Sequence, residues 1–124
     1  MTLPQAGYLL RIFLGEADKH EGRPLYEWLV RRARERGLAG ATVVRGLMGF
    51  GGSSRLHTFK IERLSLDLPI VVEIVDTREK LEAFLAEIDP VIHEGLATLE
   101  KAEVRFYRGR QLEPSTDQPA RKDE

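Results

Sequence analysis

Apolar residues recur along this chain with a period of two, then about 3.6, then two in two successive segments, then 3.6, then two again, and few folds accept that succession. Residues 8–14, Tyr-Leu-Leu-Arg-Ile-Phe-Leu, are rich in aromatic and branched side chains and end at Gly15, which predicts a strand. After a polar loop at 16–23, Pro24 suits a first helical turn. Leu25, Trp28, Leu29 and Ala33 then repeat at helical spacing towards a stop at Gly37. Residues 41–48 and 68–76 read as the second and third strands, and 96–107 as a fourth that is bent or interrupted. Between the last two, Thr77 caps a helix with Leu81, Phe84, Leu85 and Ile88 as its apolar stripe and Pro90 as its close. The order β-α-β-β-α-β predicts an α+β, ferredoxin-like sandwich, in which two helices cover one face of a four-stranded, mainly antiparallel sheet.

That architecture leaves the second sheet face bare, and the period of two says what the face carries. In the first strand Tyr8, Leu10, Ile12 and Leu14 form an apolar set, whereas Leu9, Arg11 and Phe13 place a charge between two hydrophobes. In the second strand Ala41, Val43, Arg45 and Leu47 read as the mixed set, and in the third Val71, Glu73 and Val75. A face open to water is normally more polar than this, so a partner, most simply another copy of the chain, is expected to cover it. Arg11, Arg45 and Glu73 would then need pairing across the sheet or between subunits, because an isolated buried charge is costly.

The 124 residues, 42% of them apolar, suffice for one packed core, read as a domain at 1–110 followed by a polar, flexible tail at 111–124. With 19 basic against 20 acidic residues the net charge is −1, which excludes a general nucleic-acid footprint. There is no cysteine, no export signal and no apolar run of bilayer-spanning length, so a cytoplasmic protein is expected.

The connection at 49–66 is far longer than a hairpin needs, and long connections in compact domains are often functional. It follows Arg45-Gly-Leu-Met-Gly-Phe-Gly-Gly. Gly46, Gly49, Gly51 and Gly52 permit positive φ and close backbone approach to a ligand, Ser53 and Ser54 add hydroxyls, and Arg55 adds charge, a chemistry suited to phosphate. Neither a P-loop nor a dinucleotide fingerprint is present, and glycines at a sheet edge equally serve bends and bulges. Arg105 and Arg108, in and beyond the last strand, could grip phosphate, with Tyr107 free to stack on a base. The Arg-rich stretch at 31–36 reads as a solvated helix end that complements the dipole. His20, His57 and His93 lack metal-ligand spacing, and Ser53 or Ser54 with His57 and Asp67 lacks a nucleophile elbow. No metal site and no catalysis are expected.

Leu14-Gly-Glu, Arg23-Pro-Leu-Tyr-Glu, Arg45-Gly-Leu-Met-Gly-Phe-Gly and Leu64-Ser-Leu-Asp-Leu-Pro-Ile-Val-Val-Glu-Ile-Val-Asp, in this order, resemble the family known as domain of unknown function 190, a branch of the PII-like superfamily. The resemblance covers about 8–108. It implies a ferredoxin-like subunit assembled as a trimer with sheets facing inward, and cytoplasmic signalling as a regulatory protein. It further implies an adenine nucleotide in the cleft between neighbouring subunits. Gly46, Gly49, Gly51 and Gly52 would then approach the nucleotide, Arg45 or Arg55 would lie near the phosphates, and Arg105 and Arg108 would come from a neighbour's last strand. Kinship with proteins associated with fluoride channels implies a membrane transporter or channel as a possible target. The mechanism expected is a population shift in which ligand favours one conformation of the 49–66 loop. A small enzyme using the same cleft, and a ligand-free oligomeric interaction module, are the competing classes.

Overall fold

The computed structural model describes residues 6–52, 57–58 and 67–109, and the 111–124 tail falls outside them. In chain order the elements are β1 (Ala6–Gly15), β2 (Lys19–His20), β3 (Arg23–Pro24), α1 (Leu25–Glu35), β4 (Thr42–Arg45), β5 (Met48–Gly49), β6 (His57–Thr58), β7 (Pro69–Asp76), α2 (Arg78–Ile88), a 3-10 turn (Asp89–Val91) and β8 (Leu96–Glu103). β4, β7, β1 and β8 form the main sheet in that order, antiparallel throughout. This is the ferredoxin-like α+β sandwich that the periodicity predicts.

The helices bury the even-numbered side of the central strands. Leu10, Ile12 and Leu14 of β1 and Ile70, Val72 and Ile74 of β7 meet Leu25, Leu29 and Ala33 of α1 and Leu81, Phe84 and Ile88 of α2 in one core. Each such side chain contributes about 1.5–3 kcal/mol by leaving water. The helix ends follow local chemistry. Thr77 Oγ1 accepts from Lys80 N–H at 3.3 Å to cap α2. Gly37, at φ 73°, lets Leu38 N–H turn back to Ala33 O at 3.1 Å after α1. Arg36, the C-cap of α1, and Arg32 within it both donate to Glu87 of α2, at 2.7 and 3.1 Å, joining the helices on their outer side. The Arg-rich helix end is thus largely paired with acids.

Several boundaries differ from the sequence reading. Pro24 precedes α1 as its N-cap and pairs with Lys19, so the polar loop holds a short hairpin whose turn residues Glu21 and Gly22 have φ of 52° and 78°. Pro90 falls inside the 3-10 turn beyond Ile88. The second strand divides: β4 ends at Arg45, and β5 pairs instead with β6, within the long connection. Pro69 explains the break. Gly46 N–H donates to Pro69 O at 2.7 Å, but proline has no N–H to return and the ladder stops. The last strand ends at Glu103, earlier than expected. No helix among the described residues is long and apolar enough to cross a membrane.

Candidate functional site

The two ends of the sheet carry different chemistry. At one end lie the exits of β1 and β4 and the starts of β7 and β8, since Phe13 pairs with Leu96 and Arg45 with Ile70. Arg45 points its guanidinium towards Glu16, with Nε 3.6 Å from the carboxylate. The register also corrects the sequence reading of this strand. Thr42 faces Glu73 and Val44 faces Val71, so these residues belong to the mixed face, and Arg45 takes the helix side together with Val43. A charge is tolerated there because β4 is an edge strand and its end is open to water.

The glycines after Arg45 are of two kinds. A Cβ at Gly46 would sit 3.4 Å from Pro69 Cβ, and one at Gly49 only 2.9 Å from Pro69 Cγ, so these two press the chain against the proline. Gly51 and Gly52 meet nothing within 4 Å and stand open. None of the four has a positive φ, which among the described glycines is confined to Gly22 and Gly37. Close approach to Pro69, not left-handed backbone, is the conformational use of Gly46 and Gly49. Leu47 and Phe50, 76% and 72% exposed, project from this bend. Arg55 lies outside the described residues.

The middle of the mixed face is held by charge. Arg11 Nε donates to Glu73 at 3.0 Å across the β1–β7 pair, and its Nη1 donates to Glu100 of β8. The Glu73 hydrogen bond, followed by the Glu100 charge, holds the Arg11 proton more tightly than usual against the opposing effect of burial. Thr42, Glu73, Arg11 and Thr98 make one polar row, and Val44, Val71, Phe13 and Leu96 make the adjacent apolar row.

The opposite end is not bare. Beyond β8 residues 104–108 cross it as a strap. A Cβ at Gly7 would lie 2.9 Å from Val104 Cγ2, so glycine is what lets the strap cross there. Tyr107 Oη donates to Ala39 O at 2.8 Å at the far edge. Beneath is a cavity of about 380 Å³, whose lining includes Leu9, Ala41, Thr42, Val75, Phe106 and Tyr107. Arg105 donates to Glu103 at 2.9 Å, and Arg108 stacks 4.6 Å over the Phe106 ring.

The structure therefore groups Arg45, Gly46, Gly49, Gly51 and Gly52 at one end of the sheet and Arg105 and Arg108 at the other. Strands of this length separate the ends by roughly 25 Å. A single chain does not bring the two groups together. The sequence reading missed the segment between α2 and β8, where Ile92, His93 and Gly95 help to line a second cavity of about 500 Å³. The available signal was Gly95, whose Cβ would fall 2.8 Å from Phe13 O.

Comparisons with known proteins agree with this architecture. The family model of domain of unknown function 190, described as "Uncharacterized ACR, COG1993", matches residues 7–104. A "UPF0166 protein" of Aquifex aeolicus is 49% identical over 98 residues, 79% of this chain and 92% of that protein. The "UPF0166 protein MJ1524" of Methanocaldococcus jannaschii is 35% identical over 106 residues, 85% and 95% of the two chains. Among solved structures, CPII, a nitrogen regulatory PII-like protein from Thiomonas intermedia K12 bound to ADP, AMP and bicarbonate, superposes with a TM-score of 0.63 at 21% identity, covering 80% of this chain and 88% of that one. The apo form of CPII gives a TM-score of 0.56 at 20% identity, covering 80% and 91%.

Proposed function

The chain belongs to the domain of unknown function 190 family and has a PII-like fold, and from that premise we propose that it is a PII-like cytoplasmic regulatory protein without catalytic activity. In this reading copies assemble, as a trimer, through the mixed face, and an adenine nucleotide occupies a cleft between neighbours. One copy supplies Arg45, the glycine bend and Arg55, and the next supplies Arg105 and Arg108. The observation that carries the reading is the separation of these groups to opposite ends of the sheet, which suits a cleft built from two chains. The CPII structures with ADP and AMP support the ligand class. Exposed Leu47, Met48 and Phe50 at the base of the 49–66 loop support engagement of a protein target there. A membrane transporter or channel as that target rests on the resemblance alone. Ligand acts by shifting the population of loop conformations.

Titration calorimetry with ADP, AMP and ATP tests the proposal. Saturable binding without turnover is expected. Conversion of the nucleotide would favour an enzyme, and silence across the panel a ligand-free interaction module. Gly51→Val is the clean variant, because Gly51 meets nothing within 4 Å whereas Gly49 abuts Pro69. It should weaken nucleotide binding about tenfold by blocking close backbone approach while leaving the melting temperature unchanged.

A further inference from the structure

At the strap end one buried carboxylate ties the junction of β7 and α2 to the α1–β4 connection. Asp76, 1% exposed at the end of β7, accepts Ala39 N–H on Oδ2 at 2.8 Å and Thr77 N–H on Oδ1 at 2.7 Å. The first bond fixes the α1–β4 connection, and the second fixes the residue that caps α2. Ala39 presents its other backbone group outward, where its carbonyl accepts the Tyr107 hydroxyl at 2.8 Å. The strap is thereby joined through one residue to the buried end of the sheet. It is seated independently at its start, where Val104 packs over Gly7 too closely for any Cβ. Between these two contacts Phe106 remains 70% exposed, with the Arg108 guanidinium against its ring, and Arg105 lies on the open side.

We propose that Tyr107 is a positioning residue: its hydrogen bond to Ala39 parks the 104–108 strap so that Arg105 and Arg108 are held ready for a ligand bound by a neighbouring copy. This rests on the two-chain cleft proposed above. An unpinned strap would have to be ordered on binding, and that cost would lower affinity. Tyr107 does not touch the ligand in this scheme.

Tyr107→Phe removes only the hydroxyl and keeps the ring. Two readouts apply to the full chain. Limited trypsin digestion, followed by mass spectrometry, should cut after Arg105 and Arg108 about fivefold faster in the variant, the weight of one net hydrogen bond. Calorimetry should give ADP affinity lowered severalfold, with the same oligomeric state by light scattering. Unchanged cleavage overturns the latch. Faster cleavage with unchanged ADP affinity overturns its role in ligand binding. If the unmodified protein binds no adenine nucleotide, the two-chain reading fails and the ligand role fails with it, while the digestion still decides whether the hydroxyl holds the strap.

Discussion

The two faces of the main sheet are written on alternate residues of the same strands, yet they obey different rules. On the helix side Leu10, Ile12, Val72 and Ile74 are completely or almost completely buried. One residue along, Leu9, Arg11, Phe13, Glu73 and Val75 are only partly covered, and an Arg11–Glu73–Glu100 group runs through their midst. The one charged residue buried on the strands of the first face, among the described residues, is Asp76 at the very end of β7, where its carboxylate is met by the backbone N–H groups of Ala39 and Thr77. The second face tolerates charge because Glu73, directly opposite on β7, and Glu100, diagonally across on β8, flank the guanidinium. The two faces thus differ in what interrupts their hydrophobicity: backbone-satisfied Asp76 at the margin of one, a cross-strand ion group in the middle of the other.

The sharpest test of that contrast substitutes neighbours on β1. Ile12→Ala should cost about 3 kcal/mol of stability by denaturant unfolding, through lost burial and the cavity left behind. Phe13→Ala should barely alter unfolding of the dissociated chain, but should weaken self-association at least about tenfold by sedimentation. Equal stability losses at the two positions would erase the distinction between the faces. Next in size, Arg11→Met leaves Glu73 and Glu100 facing each other across the gap. Self-association should then weaken severalfold, and added salt should restore part of it by screening the two carboxylates.

The smallest effect belongs to the helix surface, where Glu87 joins α1 to α2. Hydrogen bonding from Arg36 outweighs desolvation and holds its carboxyl below the ordinary value. A lowered carboxyl pKa adds stability that is present above the unfolded-state value and is lost as pH falls through the folded-state value. The stability difference between the unmodified protein and Glu87→Gln should therefore be full at neutral pH and close up at pH values below the ordinary carboxylate range. A difference that persists in acid would mean that Glu87 acts through packing.

Much of the fold was legible because it rests on local periodicity. The α2 stripe, the Thr77 cap and the Gly37 stop needed only spacing and side-chain chemistry. What escaped depended on partners distant in sequence. Arg45 was assigned to the wrong face because the parity of a four-residue edge strand is set by its register with β7, and a run of Ala, Thr and Val reads alike on both sides. The break after Arg45 comes from Pro69, in a strand that the long connection separates from it. The candidate site was legible as residue types but not as an arrangement. Nothing local to Arg105 or Tyr107 says that their segment crosses the sheet, and Gly7, which permits the crossing, looks like an ordinary residue before a strand.

The head-to-tail placement of the two arginine groups has an arithmetical consequence. In a closed ring of copies each subunit would lend one hand to the neighbour on its left and the other to the neighbour on its right, so there would be as many clefts as subunits. A subunit damaged at both ends would silence two clefts, whereas two subunits damaged at opposite ends could, when mixed, rebuild one intact cleft from sound halves. Occupancy in rings of mixed parentage would then follow the order of subunits around the ring as well as their number.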